Sequence, residues 1–202
     1  METQILNADD LTRIKTLLKQ GKVIAFPTDT VYGLGVIYNN EVALNKLKDA
    51  KKRDANKPIP LMVRDFEQLK QAVVVNEAIE KLYRQFMPGA LTLVCKRNPQ
   101  IPAYVSNGLD TIAIRIPNNQ FILKLLDEPM LVTSANMSGE ASLKAGVDVL
   151  KQLGGRIDGI VMGEANSTLA STIVDVSTPQ IKILRVGIIS EEAIMNCLEE
   201  EK

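Results

Sequence analysis

Helix-period apolar segments alternate with short strand-like runs along the whole chain, and this alternation restricts the fold more than any other feature. Leu11, Ile14, Leu17 and Leu18 recur at helical spacing, with Asn7 as the expected cap and Gly21 placed to end the helix. Residues 23–26 form an apolar run stopped by Pro27. Residues 41–52 read as helix, 59–63 as extended and 65–86 as largely helical. Strand-like segments follow at 91–96 and 111–116, the second with Ile112, Ile114 and Ile116 facing one way and Thr111, Ala113 and Arg115 the other. A short helix at 118–126, a buried strand at 130–133 and a helix at 143–153 come next. Strands at 157–161, 172–176 and 181–186 lead to a last helix capped by Ser190. The pattern predicts one α/β domain over residues 1–202.

The 202 residues contain no histidine. That excludes Ser-His-Asp and Cys-His pairs, HExxH zinc sites and any imidazole base. Proton transfer is left to Lys, carboxylate, Tyr, Cys, substrate or water. Cys95 and Cys197 lie far apart and form no CxxC, so neither a zinc knuckle nor a disulfide framework is expected. The first ten residues lack the basic and apolar regions of a secretory signal, and no uncharged apolar stretch is long enough to span a bilayer. The expected setting is the cytoplasm, away from membranes.

Balanced total charge, 24 basic against 24 acidic residues, hides a local asymmetry. Residues 46–64 hold seven bases (Lys46, Lys48, Lys51, Lys52, Arg53, Lys57 and Arg64) against Asp49 and Asp54, while the last twelve residues hold five Glu and one Lys. Such a run is either a solvated helix face or an anion site.

The usual nucleotide fingerprints are missing: there is no GxxxxGK[ST], and Gly33-Leu34-Gly35 lacks a third glycine. Four polar segments stand at predicted strand ends, where α/β folds place ligands. They are Pro27 to Gly35, Lys51-Lys52-Arg53 with Lys57, Thr133 to Gly139, and Ser171-Thr172. Arg115 projects from a sheet face among isoleucines, where a charge needs a salt bridge or an anion, and Arg185 before Val186-Gly187 poses the same question. Cations, hydroxyls and an amide together suit phosphate and carboxylate. They make neither a hydrolytic triad nor a metal cage.

PTDTVYGLG, KKR at 51–53, IAIRIP, TSANMSG, STIVD and ILRVG, in this order and spacing, resemble the threonylcarbamoyl-AMP synthases of the YrdC-like family over about residues 23–187. The resemblance implies a single YrdC-like domain: a twisted mixed sheet with flanking helices and a concave basic surface. It implies an enzyme that joins L-threonine, bicarbonate and ATP into L-threonylcarbamoyladenylate, releasing pyrophosphate. Mg²⁺ is expected with the ATP, held by its oxygens and water, since no cluster of protein carboxylates is evident for a metal. The product serves tRNA modification, with tRNA met directly or through threonylcarbamoyl-transfer partner proteins.

By the same resemblance the K-x-R and S-x-N tetrad falls on Lys51, Arg53, Ser134 and Asn136. Arg53, Lys57, Thr111, Asn136, Lys144 and Arg185 would hold ATP. Thr30, Arg115, Ser134 and Ser171 would cradle L-threonine, with Arg115 on its carboxylate. This chain departs from relatives that read K-x-R-P-x-x-N-P-L-x-V-H: Asp54 follows Arg53, Lys57 replaces the Asn, and Met62 stands at the threonine-side His. An RNA-binding paralogue without efficient activity is the alternative reading. Carbamoyl-adenylate chemistry, as in related domains of hydrogenase-maturation enzymes, is a third.

Overall fold

Local polar caps set where all but one of the described α-helices begin. In the computed structural model, which describes residues 2–199, strand β1 (Gln4–Leu6) precedes helix α1 (Leu11–Lys19). The cap of α1 is Asp10, whose carboxylate accepts from Arg13 N at 3.0 Å. Asn7, the expected cap, instead accepts from Asp9 N and closes a turn. Strands β2 (Ile24–Phe26) and β3 (Gly33–Ile37) then form an antiparallel pair, and Asn40 caps α2 (Glu41–Ala50).

The region expected to be largely helical at 65–86 is two helices flanking an extended link. After the short strand β4 (Leu61–Met62), helix α3 (Phe66–Ala72) stops at Val73. Val73 bridges Arg97, and Val74 N donates to Lys96 O at 2.9 Å. Three consecutive β-branched valines favour that extended link, and Asn76 then caps α4 (Glu77–Phe86). Strands β5 (Leu91–Lys96) and β6 (Thr111–Arg115) lie where the alternation placed them, separated by a 3-10 turn at Ala103–Ser106. Next come α5 (Gln120–Leu125), β7 (Met130–Ser134) and α6 (Gly146–Leu153). Helix α6 starts later than expected because residues 143–145 are already committed. Leu143 O accepts from Tyr32 N, Lys144 O from Ala165 N, and Ala145 bridges Glu164. Strands β8 (Gly159–Val161), β9 (Thr172–Asp175) and β10 (Lys182–Arg185) lead into α7 (Glu191–Glu199), where Ser190 Oγ accepts from Ala193 N.

All ten strands join one mixed sheet in the order β1-β8-β2-β3-β7-β4-β6-β5-β9-β10. Its two faces are covered unequally. One carries the larger core, built with α2, α3, α4, α6 and α7 through residues such as Leu47, Leu69, Leu82, Val149 and Ile194. On the other, only α1 and α5 pack, through Ile14, Leu18, Ile122 and Leu125 against Phe26, Met62, Met130 and Val132. The remainder of that second face, over β9, β5, β6, β4 and β3, has no helix on it and forms the floor of a cavity.

The glycines of β3 belong to this second face. Read from sequence as part of a ligand loop, Gly33 and Gly35 are strand residues pressed by the Phe26 ring. A Cβ on Gly35 would lie 2.9 Å from both Phe26 Cζ and Met130 Cε. Gly35→Val is therefore expected to overpack this layer and destabilise the protein by about 1–3 kcal/mol. The midpoint of chemical denaturation, with unchanged slope, checks this.

Candidate functional site

The uncovered part of the sheet opens into a cavity of about 360 Å³. Register explains its floor. Arg115 on β6 pairs with Met62 on β4, and Val94 on β5 pairs with Ala113, so Ala113 and Arg115 share the open face while Ile112 and Ile114 enter the opposite core. The sequence alternation thus sends a guanidinium into the site and isoleucines into the core from one strand.

Arg115 is 5% exposed. Its Nε donates to Gly89 O at 2.9 Å, its Nη1 to Thr30 Oγ1 at 2.8 Å, and its Nη2 lies 2.8 Å from Asp29 Oδ1. Burial pulls the guanidinium pKa down, Asp29 holds it up, and the Arg185 charge lowers it again. The open question at this position resolves as a salt bridge at the cavity wall, with N–H groups to spare: two of five are used in aligned hydrogen bonds, because the Asp29 contact is close but not directed as one.

Thr30 is set by its own loop. Thr28 Oγ1 donates to Val31 O, receives Thr30 N at 3.0 Å and lies 3.2 Å from Thr30 Oγ1. On the opposite wall Ser171 Oγ is 2.8 Å from Thr92 Oγ1, and Arg185 donates through Nε and Nη2 to Ser171 O at 3.1 and 2.8 Å. Arg53 completes the rim, donating to Lys57 O and Pro58 O. Burial lowers the pKa of both rim guanidiniums, and the exposed Asp54 opposes this at Arg53 through its charge.

Thr30, Arg53, Arg115, Ser134, Ser171 and Arg185 are thus brought together around one cavity. The other expected site residues are placed elsewhere. Lys57 is exposed and meets Arg53 only through its carbonyl, and Lys144 is exposed with Glu164 at 3.7 Å. Thr111 is half-buried opposite Lys96 at the start of β6. Asn136 is buried, its amide donating to Met137 O and Glu140 O.

Lys51 is 1% exposed and lies outside the cavity lining. Its ammonium donates to Ser134 O, to Asn136 O at 2.5 Å and to Asn136 Oδ1 at 3.4 Å, while its own carbonyl accepts from Ser138 N at 3.0 Å. The K-x-R lysine therefore fastens the end of α2 to the S-x-N loop from both of its ends. Burial, and then the Arg53 charge, pull its pKa down to about 7, against which the three carbonyl oxygens act.

Beyond the residues expected there, Thr28, Thr92 and Ser142 also line the cavity, and Asp29 backs Arg115. Asp29 had a usable signal: a buried arginine demands a counter-ion, and an acid stood next to Thr30. Thr92 had none, since its partner Ser171 is 79 residues away.

A family model for Sua5/YciO/YrdC domains, described as telomere recombination, matches residues 16–187. A threonylcarbamoyl-AMP synthase of Vibrio vulnificus is 36% identical over 185 residues, covering 88% of this chain and 98% of that one. One of Pyrococcus abyssi is 36% identical over 188 residues; the match covers 91% of this chain but 55% of that longer protein. The structure of P. abyssi Sua5 complexed with L-threonine superposes with a TM-score of 0.91 at 32% identity, over 99% of this chain and 61% of the other. Escherichia coli YciO, at 22% identity and a TM-score of 0.83, shares the fold. By the extent of these matches, and by the ordered motifs that build its cavity, the chain belongs to the Sua5/YciO/YrdC family.

Proposed function

We propose that this chain is an L-threonylcarbamoyladenylate synthase, a nucleotidyltransferase that forms threonylcarbamoyl-AMP and pyrophosphate from L-threonine, bicarbonate and ATP. One observation carries the reading: a single cavity sets buried Arg115, with Thr30 and Ser171, against Arg53 and Arg185. The first group suits the carboxylate and hydroxyl of an amino acid, and the second suits phosphates. The relatives named threonylcarbamoyl-AMP synthase, and the Pyrococcus relative complexed with L-threonine, support the same assignment.

The chemistry asks for what these residues supply. Threonine and bicarbonate give a carbamate, one oxygen of which attacks the α-phosphorus of ATP as the bond to pyrophosphate breaks. Both reactants are anions, so the barrier lies in charge repulsion and orientation, which fixed guanidiniums and hydroxyls lower without a covalent nucleophile or imidazole. Mg²⁺ enters as part of the substrate, because no carboxylate lines the cavity and no metal-binding group of three acidic, Cys or His residues occurs among the described residues.

In this reading Ser134 and Arg53 face the substrates, while Lys51 and Asn136 hold the loop that presents Ser134. Lys57, Thr111 and Lys144 remain nucleotide-side proposals that require ATP to reach beyond the cavity. The exposed Lys52 and Lys57 are proposed as part of a basic surface for tRNA or a transfer partner, with the cytoplasm as the setting. Among the described residues no helix is long and apolar enough to cross a membrane.

Purified protein is expected to release pyrophosphate only when L-threonine, bicarbonate and MgATP are all present, with the adenylate identified by mass spectrometry. Arg53→Ala and Lys51→Ala should each lower kcat/KM on the order of 100-fold or more. Pyrophosphate release that ignores threonine would overturn the proposal. Lys51 also predicts a pH dependence. Between pH 7 and about 10.5 the unfolded chain keeps the lysine proton that the folded chain releases, so wild-type stability should rise with pH through that window. Lys51→Met should lose this rise, as read from urea denaturation across the pH range.

A further inference from the structure

The cavity holds three guanidiniums but neutralises only one of them within a buried ion pair. Asp29 and Arg115 are 7% and 6% exposed at their side chains, and Asp29 does not line the cavity. Its second oxygen, Oδ2, accepts from Asn118 N at 2.9 Å, which fixes the carboxylate behind Arg115 at the β6–α5 connection. Arg185 donates to Ser171 and has no carboxylate within ion-pair distance among the described residues. Arg53 spends its aligned donors on two backbone carbonyls.

Coulomb attraction scales with the product of charges, so an unpaired buried guanidinium at this position would draw a polyphosphate at least as strongly as an amino-acid carboxylate. A guanidinium already paired with a carboxylate has little net charge. What remains is the hydrogen-bonding capacity not spent on Gly89 and Thr30, which suits a single carboxylate, while the Asp29 charge repels a more highly charged phosphate.

We propose that Asp29 is a specificity-determining positioning residue: it neutralises and orients Arg115 so that this end of the cavity accepts the single carboxylate of an amino acid and rejects phosphate. Polyphosphate is left to Arg53 and Arg185. The inference rests on the threonine and ATP reading of the cavity given above.

Titration calorimetry with L-threonine, in the absence and presence of sodium pyrophosphate, tests it. In the wild type, pyrophosphate should leave the threonine Kd unchanged. In Asp29→Asn, which keeps the size and the acceptor for Asn118 N, threonine should bind about tenfold more weakly. Pyrophosphate should then displace it, the apparent Kd rising in proportion to the competitor. In Asp29→Asn with Arg115→Met, direct titration with pyrophosphate should lose the added binding at this end and return to the wild-type level set by Arg53 and Arg185. A merely structural role would weaken threonine without creating competition, and that result overturns the inference. So does competition already present in the wild type, a measurement that decides the matter even if Asp29→Asn fails to fold. If the wild type binds no threonine at all, the synthase reading falls first and this inference with it.

Discussion

A positive charge buried on a sheet face is the constraint around which this molecule is arranged. Arg115 projects from a central strand with 5% exposure, and an uncompensated ion in such a place would cost several kcal/mol. Three groups from two segments meet to satisfy it: the Gly89 carbonyl from the turn before β5, and the Thr30 hydroxyl and Asp29 carboxylate from the β2–β3 loop. Those contacts fix the loop that begins at Pro27 against the far half of the sheet. Arg115 also lines the cavity, so the stabilising contacts and the site are one structure.

The second arrangement is the unequal covering of the sheet. Five helices close one face, while α1 and α5 close only part of the other. Where helices are absent, the floor needs residues that tolerate partial solvation, and the strands supply Thr92, Ala113, Arg115 and Gly33 there. Beside them the glycines of β3 let the Phe26 ring approach the strand closely at the boundary between packed and open regions. Lys51 contributes from the other face: its ammonium crosses to the carbonyls of Ser134 and Asn136, so the end of α2 and the loop after β7 are tied together. In this fold the lysine of the K-x-R motif holds the serine of the S-x-N motif.

The elements most legible from sequence were those with a strict repeat. The Ile112–Ile114–Ile116 alternation gave β6 its place and both of its faces, and the Leu91–Lys96 run matched β5 residue for residue. Less legible were elements whose identity depends on a partner. Residues 4–6 form a strand only because β8 offers an open edge, and residues 143–145 stay extended because Tyr32, Ala165 and Glu164 claim their backbone. The break in the 65–86 helix lay midway: three valines and an asparagine signalled it, but helical periodicity on either side masked them.

The sequence by itself determined the chemistry class. A chain without histidine, with cations and hydroxyls at strand ends, is suited to anions and has no imidazole to hydrolyse or bind zinc with. It also determined which residues could matter, because their types are fixed by composition and their spacing by motif. Only the tertiary structure decided what each of them touches. Arg53, Arg115 and Arg185 surround one cavity, whereas Lys51 is buried behind it, and nothing local separates them: all four are cations near strand or helix ends. Their difference arises from strand register and from which face of the sheet a helix covers, and both are set by contacts between segments remote in the chain.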